Sequence, residues 1–299
     1  MRNQNPEVRS QKSEIRVYYL FPVLFLLFSV VAAFIFTGCQ RKYKEDVVEV
    51  LASGPDIETI SVPPDYVVRA IEAAGGWNAW AQTKELQFDC VVTFYQPDGS
   101  FYLTEQHHVV YPWSNSIQIS AREPQGTFVW QLSRGQFDVL QGGGQIDGLP
   151  VEISSHCFAE MILSVITIPA RFLDASVEFT KAPTGLKIQG QWYYPITRRS
   201  RPVVGAELEP EPARPLSKAV FYQDRDSSLV DMLLFAYKSG EKFLAIRGYD
   251  YTEVVPMDSQ GEKEDVRVPV RIEIFRTDVH GNLQERLVKI DYHTLKHAK

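Results

Sequence analysis

The sequence predicts a mainly β fold of the α+β class, with about ten antiparallel strands and two helical segments. Three observations predict it. Apolar and polar residues alternate over long runs, turn-forming Gly, Pro and Asp separate those runs, and no strand–helix–strand alternation occurs. A curled sheet of this many strands must close, split into a sandwich, or wrap around something. The two helical segments are the obvious candidates to be wrapped.

Ahead of the predicted domain, residues 17–36 form an uncharged apolar run of 20 residues. Four basic residues precede it against two acidic ones, which is typical of an export signal whose N-terminus stays in the cytoplasm. Residues 36–39, Phe-Thr-Gly-Cys, resemble the bacterial lipobox, where a peptidase cleaves before a lipid-bearing cysteine. We therefore predict that Cys39 is lipidated. An uncleaved signal anchor is the alternative, because about 20 apolar residues can span a bilayer.

The predicted organisation has three parts. Residues 1–39 are the leader or a membrane anchor, residues 40–63 are a flexible polar tether, and residues 64–299 form the β-rich domain. Both interpretations of the leader place the domain on the periplasmic face of a bacterial cell envelope, anchored to a membrane. Gln40 stands where an aspartate would resemble an inner-membrane retention signal, which favours the outer membrane.

The predicted domain opens with a helix, whose apolar residues recur at helical spacing from Tyr66 until Gly75 and Gly76 stop it. A second short helical turn follows. Beyond Lys84 the period becomes two, and a Pro-Asp-Gly turn signal separates the first long strand from a second one over residues 101–111. Three shorter runs follow, so the first half is predicted to be an antiparallel meander.

In the second half, the alternation stops at residues 154–173, where apolar residues recur at helical spacing until Pro169. We expect a second helix there, packed on a face of the sheet. Strands resume at residues 176–180 and 186–194, and the Pro- and Glu-rich segment near 198–216 is predicted to be a surface insertion. The last third alternates again, which predicts long strands separated by turns.

Composition and motifs give no positive argument for an enzyme. A net charge of −6, a pI near 5.6 and the lack of a long basic stripe argue against nucleic acid as a partner. His107 and His108 are neighbours on a strand, so they point to opposite faces and cannot share a metal. We predict no cofactor, no metal and no catalytic residue. An enzyme with catalytic residues scattered over strands is a third alternative for the function.

Two further groups have ordinary explanations. Asp224, Asp226 and Asp231 surround a turn, where acidic residues are normally solvated and bond to the local backbone. Cys90 lies in an alternating run and Cys157 beside a helix start, so we expect two buried free thiols. A bridge between them is the alternative that the sequence leaves open.

Residues 70–100, AIEAAGGWNAWAQTKELQFDCVVTFYQPDGS, resemble the opening of the LolA/LolB-like superfamily and of the related outer-membrane lipoprotein-sorting-protein-like group. In that group an N-terminal helix ends in Gly-Gly, a short turn carries a Trp or Leu, and a long first strand follows. The likeness extends to FVWQLSRGQFDVLQGG, to IPARFL and to the C-terminal strands. The resemblance implies a half-open antiparallel β-barrel of about ten or eleven strands wrapped around helical segments.

The resemblance also implies an apolar cavity that accepts acyl chains or another hydrophobic ligand. The expected function is that of a membrane-tethered lipoprotein that binds a hydrophobic or lipidated ligand in lipid or lipoprotein trafficking. The alternative is a structural or interaction module of the envelope, whose barrel is filled by its own side chains. The implied partners are the membrane, reached through the lipid anchor or the N-terminal helix, and an acyl chain or lipoprotein; the oligomeric state is left open. The candidate lining residues are Phe88, Val92, Phe94, Trp130, Phe158, Ile162, Leu233 and Phe235.

Overall fold

A computed structural model describes residues 63–124, 126–173, 177–200, 216–237, 243–254, 265–278 and 280–298. The predicted leader with Cys39 and the tether up to residue 62 lie outside these ranges, as do residues 201–215 of the predicted insertion. Within the described ranges, no helix is both long enough and apolar enough to cross a membrane.

The described part of the chain forms one antiparallel sheet of thirteen strands together with four helices. The helices are α1 (Asp65–Ala73), α2 (Trp77–Gln82), α3 (Ser155–Ile166) and α4 (Ile168–Phe172). The strands are β1 (Glu85–Tyr95), β2 (Phe101–Tyr111), β3 (Ser116–Glu123), β4 (Gly126–Ser133), β5 (Gln136–Gln141), β6 (Val177–Lys181), β7 (Leu186–Ile188), β8 (Gln191–Ser200), β9 (Leu216–Asp224), β10 (Val230–Tyr237), β11 (Phe243–Val254), β12 (Val266–Thr277) and β13 (Leu283–Ala298). Their order in the sheet is β5-β4-β3-β2-β1-β13-β12-β11-β10-β9-β8-β6, and β7 pairs with β8 beside this path.

This architecture confirms the predicted fold class, a mainly β structure built on one open antiparallel sheet with few helices. It has more strands than expected because one predicted strand, residues 186–194, belongs to a hairpin. Ile188 pairs with Gln191, and the two residues between them, Gln189 and Gly190, have positive φ angles of 46° and 89°. Two successive residues of this kind make the tight turn that matches the twist of paired strands, so β7 and β8 are separate strands.

The C-terminal end of α1 is fixed to the sheet. Gly75 and Gly76 have φ angles of 114° and 95°, and they end the helix as predicted. A Cβ atom on Gly75 would lie 2.4 Å from the carbonyl oxygen of Asp265, so only glycine permits this close approach. Beside it, the Arg267 amide donates to the carbonyl of Ala74 over 2.8 Å, which holds the end of α1 against β12.

Helix α3 lies inside the curl of the sheet. It begins at an N-cap, where Ser154 Oγ accepts a hydrogen bond of 3.1 Å from the amide of Cys157. Ten of its 12 residues are buried, so the helix is covered on all sides rather than along one stripe. It contacts β3 and β4 as well as β10 and β11. Because β2, β1, β13 and β12 lie between these two pairs, the sheet must curl around α3.

The sheet buries apolar residues on both of its faces near β8 to β11. Along β10, Leu233 and Phe235 belong to the large cluster around α3, whereas Met232 and Leu234 belong to a smaller cluster on the opposite face. The inner core contains α3, α4 and the inward-facing apolar residues of the sheet. The outer core consists of Ile188, Tyr193, Tyr222, Met232, Leu234 and Ala245.

Candidate functional site

The eight candidate lining residues meet in the inner core. Three of them point inward from β1, and the others come from β4, α3 and β10. None is more than 3% exposed: they are Phe88, Val92, Phe94, Trp130, Phe158, Ile162, Leu233 and Phe235. The rings of Phe94 and Phe158 lie 5.8 Å apart, so β1 contacts α3 directly. The structure brings the eight residues into one cluster, and their role as a ligand lining stays a prediction.

Aromatic rings extend the inner core at both ends of the α3–α4 segment. At the start of α3, the ring of His156 stacks on Phe137 of β5, with centroids 5.5 Å apart. At the end of α4, the ring of Phe172 lies 4.7 Å from Phe179 of β6. Since β5 and β6 are the two ends of the sheet path, the helical segment spans the gap between the two edges of the sheet.

The inward-facing row of β2 is polar, although β1 beside it is apolar. Tyr102 pairs with the inward-facing Phe94, so the even-numbered residues of β2 face the inner core. These residues are Tyr102, Thr104, Gln106, His108 and Val110. Phe101 and Leu103 face outward and are 60% and 54% exposed. The sequence analysis missed this row because alternation within one strand does not show which set of residues faces inward. The short turn between β1 and β2 was the available signal, since it sets which residues of the two strands pair.

His108, Gln106 and Tyr292 form a hydrogen-bonded group in this row. Burial lowers the pKa of His108 to about 3, so its ring is neutral. Its Nδ1 lies 3.2 Å from Tyr292 Oη, and its Nε2 lies 2.8 Å from Gln106 Oε1. A neutral imidazole accepts at one nitrogen and donates from the other, so Tyr292 donates to Nδ1 and Nε2 donates to Gln106. The carboxamide nitrogen of Gln106 is buried and has no hydrogen-bond partner among the described residues.

The polar row ends at a carboxylate near the surface. Glu123 of β3 is partly exposed, and it accepts a hydrogen bond of 2.6 Å from Thr104 Oγ1. Its other carboxylate oxygen accepts from Tyr102 Oη, and this bond raises the pKa of Tyr102 to about 12. The row therefore runs from a partly exposed carboxylate to a fully buried imidazole, along the inner face of β2.

The prediction that the three acidic residues around the β9–β10 turn are all solvated is wrong for two of them. Asp224 and Asp231 are 2% and 8% exposed, whereas the side chain of Asp226 is 79% exposed. Asp224 does bond to the local backbone, because it accepts from the amides of Asp226 (3.0 Å) and Ser227 (2.6 Å). It is buried nevertheless, since its second carboxylate oxygen accepts from the side chain of Gln191 on β8.

Asp231 forms an ion pair with Arg247 beside the outer core. The pairing of β10 with β9 shifts between Val230 and Met232, and this bulge turns the intervening aspartate towards Tyr193. Asp231 Oδ2 lies 3.6 Å from Arg247 Nε and 3.3 Å from Tyr193 Oη. Burial raises the pKa of Asp231 to about 7, although the nearby guanidinium acts in the opposite direction. Nothing in the local sequence signals a bulge, so the pair was missed.

Two further predictions, the opposite orientations of the adjacent histidines and the burial of two cysteines, are confirmed. His108 points inward, and its neighbour His107 points to the other face, where its Nδ1 lies 2.7 Å from Asp89 Oδ1. Cys90 and Cys157 are both buried, and neither is part of a disulfide. Among the described residues, no three His, Cys, Asp or Glu side chains are placed to hold a metal ion.

Comparisons with known families and with curated proteins find no match for this chain. Three solved structures align with most of it. A LolA superfamily protein from Nitrosomonas europaea has a TM-score of 0.47 and 11% identity, over 79% of this chain and 94% of that one. A DUF1329 family protein from Desulfovibrio piger has a TM-score of 0.41 and 10% identity, over 78% and 94%.

The third structure is titled as an outer membrane lipoprotein-sorting protein domain from Vibrio parahaemolyticus. Its TM-score is 0.39 and its identity 7%, over 77% of this chain and 93% of that one.

Proposed function

We propose that this chain is a membrane-tethered, exported lipoprotein that binds a hydrophobic or lipidated ligand on the inner face of its sheet. Its role is lipid or lipoprotein trafficking in a bacterial cell envelope. The proposal rests mainly on how the open sheet is covered: α3 and α4 span the gap between edge strands β5 and β6. A short helical segment can move aside as a unit, whereas a closed barrel opens only by breaking strand pairs.

Binding at this site needs no chemical step. Each CH₂ group that moves from water to an apolar interior gains about 0.8 kcal/mol, so an acyl chain of about twelve methylenes gains about 10 kcal/mol before other costs. The ligand takes over contacts that α3 makes with the sheet, such as the one between Phe158 and Phe94. The proposal therefore includes no catalytic residue, no metal and no cofactor.

A second candidate is a structural or interaction module whose interior stays filled. It is favoured by the burial of α3 on all sides and by the close packing of the eight residues, none of which is more than 3% exposed. The two candidates differ in whether α3 and α4 ever leave the inner face of the sheet.

Native mass spectrometry of the full-length chain, purified in a mild detergent from a bacterial envelope, separates the two candidates. We expect a stoichiometric acyl lipid on the purified protein, and uptake of a fluorescent fatty-acyl probe after the lipid has been removed. A folded chain that carries no lipid and takes up no probe would overturn ligand binding and leave the filled module.

Two matched truncations locate the binding site. Phe158→Ala removes a ring from α3 in the inner core, and Met232→Ala shortens a side chain in the outer core; both residues are 0% exposed. Only Phe158→Ala should change the affinity for the acyl probe, because only this side chain makes a contact with the inner face that the ligand has to replace. If the affinity changes equally in both variants, the effect comes from lost stability, and the inner face is not the binding site.

Tethering is tested separately at Cys39. Mass spectrometry of the N-terminal peptide should find a mature chain that begins at a lipid-modified Cys39, and Cys39→Ser should abolish both the cleavage and the lipid. Fractionation of the two membranes should place the wild-type chain in the outer one. A mature chain that retains residues 1–38 would support the uncleaved anchor instead.

A further inference from the structure

The inward-facing row of β2 departs from the apolar pattern of the neighbouring strand β1. On β1 the inward residues are Leu86, Phe88, Cys90, Val92 and Phe94, and the residues paired with the last four of them on β2 are His108, Gln106, Thr104 and Tyr102. One strand thus brings four polar side chains to an apolar interior. Burial of polar groups is costly unless each of them is hydrogen-bonded, so such a row calls for an account of every donor and acceptor.

Three of the four residues have their partners within the fold. Thr104 and Tyr102 donate to Glu123. His108 uses both ring nitrogens, one towards Tyr292 and the other towards Gln106. These bonds satisfy the side chains on either side of Gln106.

Gln106 is the exception. Gln106 is 4% exposed, and its side-chain carbonyl oxygen accepts a hydrogen bond of 2.8 Å from Nε2 of His108. The Nε2 of Gln106 is buried and has no acceptor in the described part of the chain. An amide nitrogen carries two N–H donors, so this is unused donor capacity inside the apolar interior. An unsatisfied buried donor weakens the fold, and a bound ligand with an acceptor removes that cost.

The surroundings of Gln106 restrict what the acceptor can be. Its paired neighbours, Cys90 on β1 and Ala121 on β3, are uncharged, and His108 beside it is neutral. The charged group of the row is the carboxylate of Glu123, which repels an anion. A free fatty acid would therefore bring its negative charge to a place where none of these described neighbours is a cation. An ester carbonyl offers the same acceptor without the charge, attached to the hydrocarbon that the inner face buries.

We infer that the Gln106 carboxamide donates a hydrogen bond to the carbonyl oxygen of an ester-linked acyl chain bound on the inner face of the sheet. The inference rests on the proposed function, and it narrows the ligand from any hydrophobic molecule to an acyl ester. Glu123 and Tyr102 mark the end of the row from which the polar part of the ligand reaches solvent.

The test compares two lipids that differ only in the carbonyl groups. Full-length chain, purified in mild detergent and stripped of lipid, is titrated with a dimyristoyl phosphocholine, whose head group has no net charge, and with its ditetradecyl ether analogue. Native mass spectrometry gives the bound fraction of each lipid. The wild-type chain should bind the ester about tenfold more tightly than the ether, because the ether leaves the amide donor unpaired.

Variants assign the difference to one side chain. Gln106→Leu should lower the affinity for the ester about tenfold and leave that for the ether unchanged. Gln118→Leu is the matched control, since Gln118 is partly exposed on neighbouring β3, next to inward-facing residues but on the opposite face. It should keep the wild-type preference.

Each outcome decides something different. Equal binding of ester and ether by the wild-type chain would overturn this inference and leave the proposed function intact. Binding of neither lipid would overturn the proposed function, and the inference with it. If Gln106→Leu does not fold, the ratio of ester to ether affinity in the wild-type chain still decides the question.

Discussion

The two faces of the sheet bury polar groups in different ways. The inner core holds them uncharged, as with the neutral His108 and its neighbour Gln106. Beside the outer core lies a charged pair, Asp231 with Arg247, whose side chains are 12% and 10% exposed. An uncharged amide can stay buried with unused donors, whereas a buried charge needs its partner beside it. The unused hydrogen-bonding atom of the inner row belongs to an uncharged amide, whereas those beside the outer core, Asp231 Oδ1 and Arg247 Nε, belong to a charged pair.

The largest expected effect comes from truncation in the inner core. Phe158→Ala should lower the free energy of unfolding by about 3 to 5 kcal/mol, because it leaves a cavity between α3 and β1. Met232→Ala in the outer core should cost about 2 to 3 kcal/mol. Urea denaturation followed by tryptophan fluorescence measures both. A loss below about 1 kcal/mol for Phe158→Ala would contradict a packed contact between α3 and β1.

The next effect is that of removing one partner of the charged pair. Arg247→Met leaves Asp231 buried without its cation, which should cost about 3 kcal/mol at pH 8. The cost should shrink at pH 5, because burial raises the pKa of Asp231 to about 7 and the carboxyl group is then protonated. Unfolding curves at the two pH values measure the difference.

The double variant Asp231→Leu/Arg247→Met is the control for that prediction. Replacement of both ions by apolar side chains should recover most of the loss, since no buried charge is left without a partner. If the double variant recovers no stability, the loss in Arg247→Met comes from the packing of Arg247 over the ring of Tyr249, whose centroid is 4.8 Å away. The contrast between the two faces would then be wrong.

The pH dependence of stability should have opposite signs on the two faces. Asp231 has a folded-state pKa of about 7 against about 3.9 in the unfolded chain, so its contribution is complete below about pH 4 and is lost as the pH rises to about 7. His108 has a folded-state pKa of about 3 against about 6.5, so its contribution is complete above about pH 6.5 and is lost as the pH falls. We expect each group to contribute about 2 kcal/mol to the free energy of unfolding. This is roughly half of the free energy that corresponds to its pKa shift, because a buried site relaxes around a charge.

Two variants separate these opposing contributions, and unfolding is followed from about pH 4 to about pH 7. In Asp231→Asn, stability should rise more steeply with pH than in the wild-type chain. In His108→Gln, it should rise less steeply. Curves that run parallel to the wild type in both variants would mean that neither group titrates differently in the folded and unfolded chain.

The smallest expected effect concerns the other histidine of β2. His107 pairs with Asp89 at the surface, where the two side chains are 41% and 43% exposed. His107→Gln should change the free energy of unfolding by less than about 1 kcal/mol, because an exposed ion pair is screened by solvent. His108→Gln at neutral pH should cost more, since it disturbs buried hydrogen bonds. Urea denaturation measures both losses in free energy of unfolding. Equal losses for the two variants would contradict the difference between a surface pair and a buried hydrogen-bonded group.

Local patterns predicted the parts of the fold that depend on neighbouring residues. The alternation on β1 predicted its long strand with Phe88, Val92 and Phe94 facing inward, and Gly75 with Gly76 correctly ended α1. The N-capped helix at residues 155–166 was expected from its apolar spacing. These features follow from the period of a helix or strand and from the conformational freedom of glycine.

The features that the sequence did not predict depend on how neighbouring strands pair. The polar row of β2 follows from its register with β1, and the burial of Asp231 follows from a bulge against β9. The hairpin between β7 and β8 was hidden because the Gln-Gly turn is short and the runs on both sides are apolar. Hydropathy along one strand carries no information about the register of its partner.

The pairing of β1 with β13 has a consequence for how the protein is made. Glu85 pairs with Ala298, so the middle of the sheet joins the first strand of the chain to its last described strand. Contacts of this kind close a long loop and make folding slow. In a chain that emerges from its N-terminus, strands β1 to β5 wait with one edge of β1 unpaired until β13 has been synthesised. Aggregation during that interval therefore competes with folding.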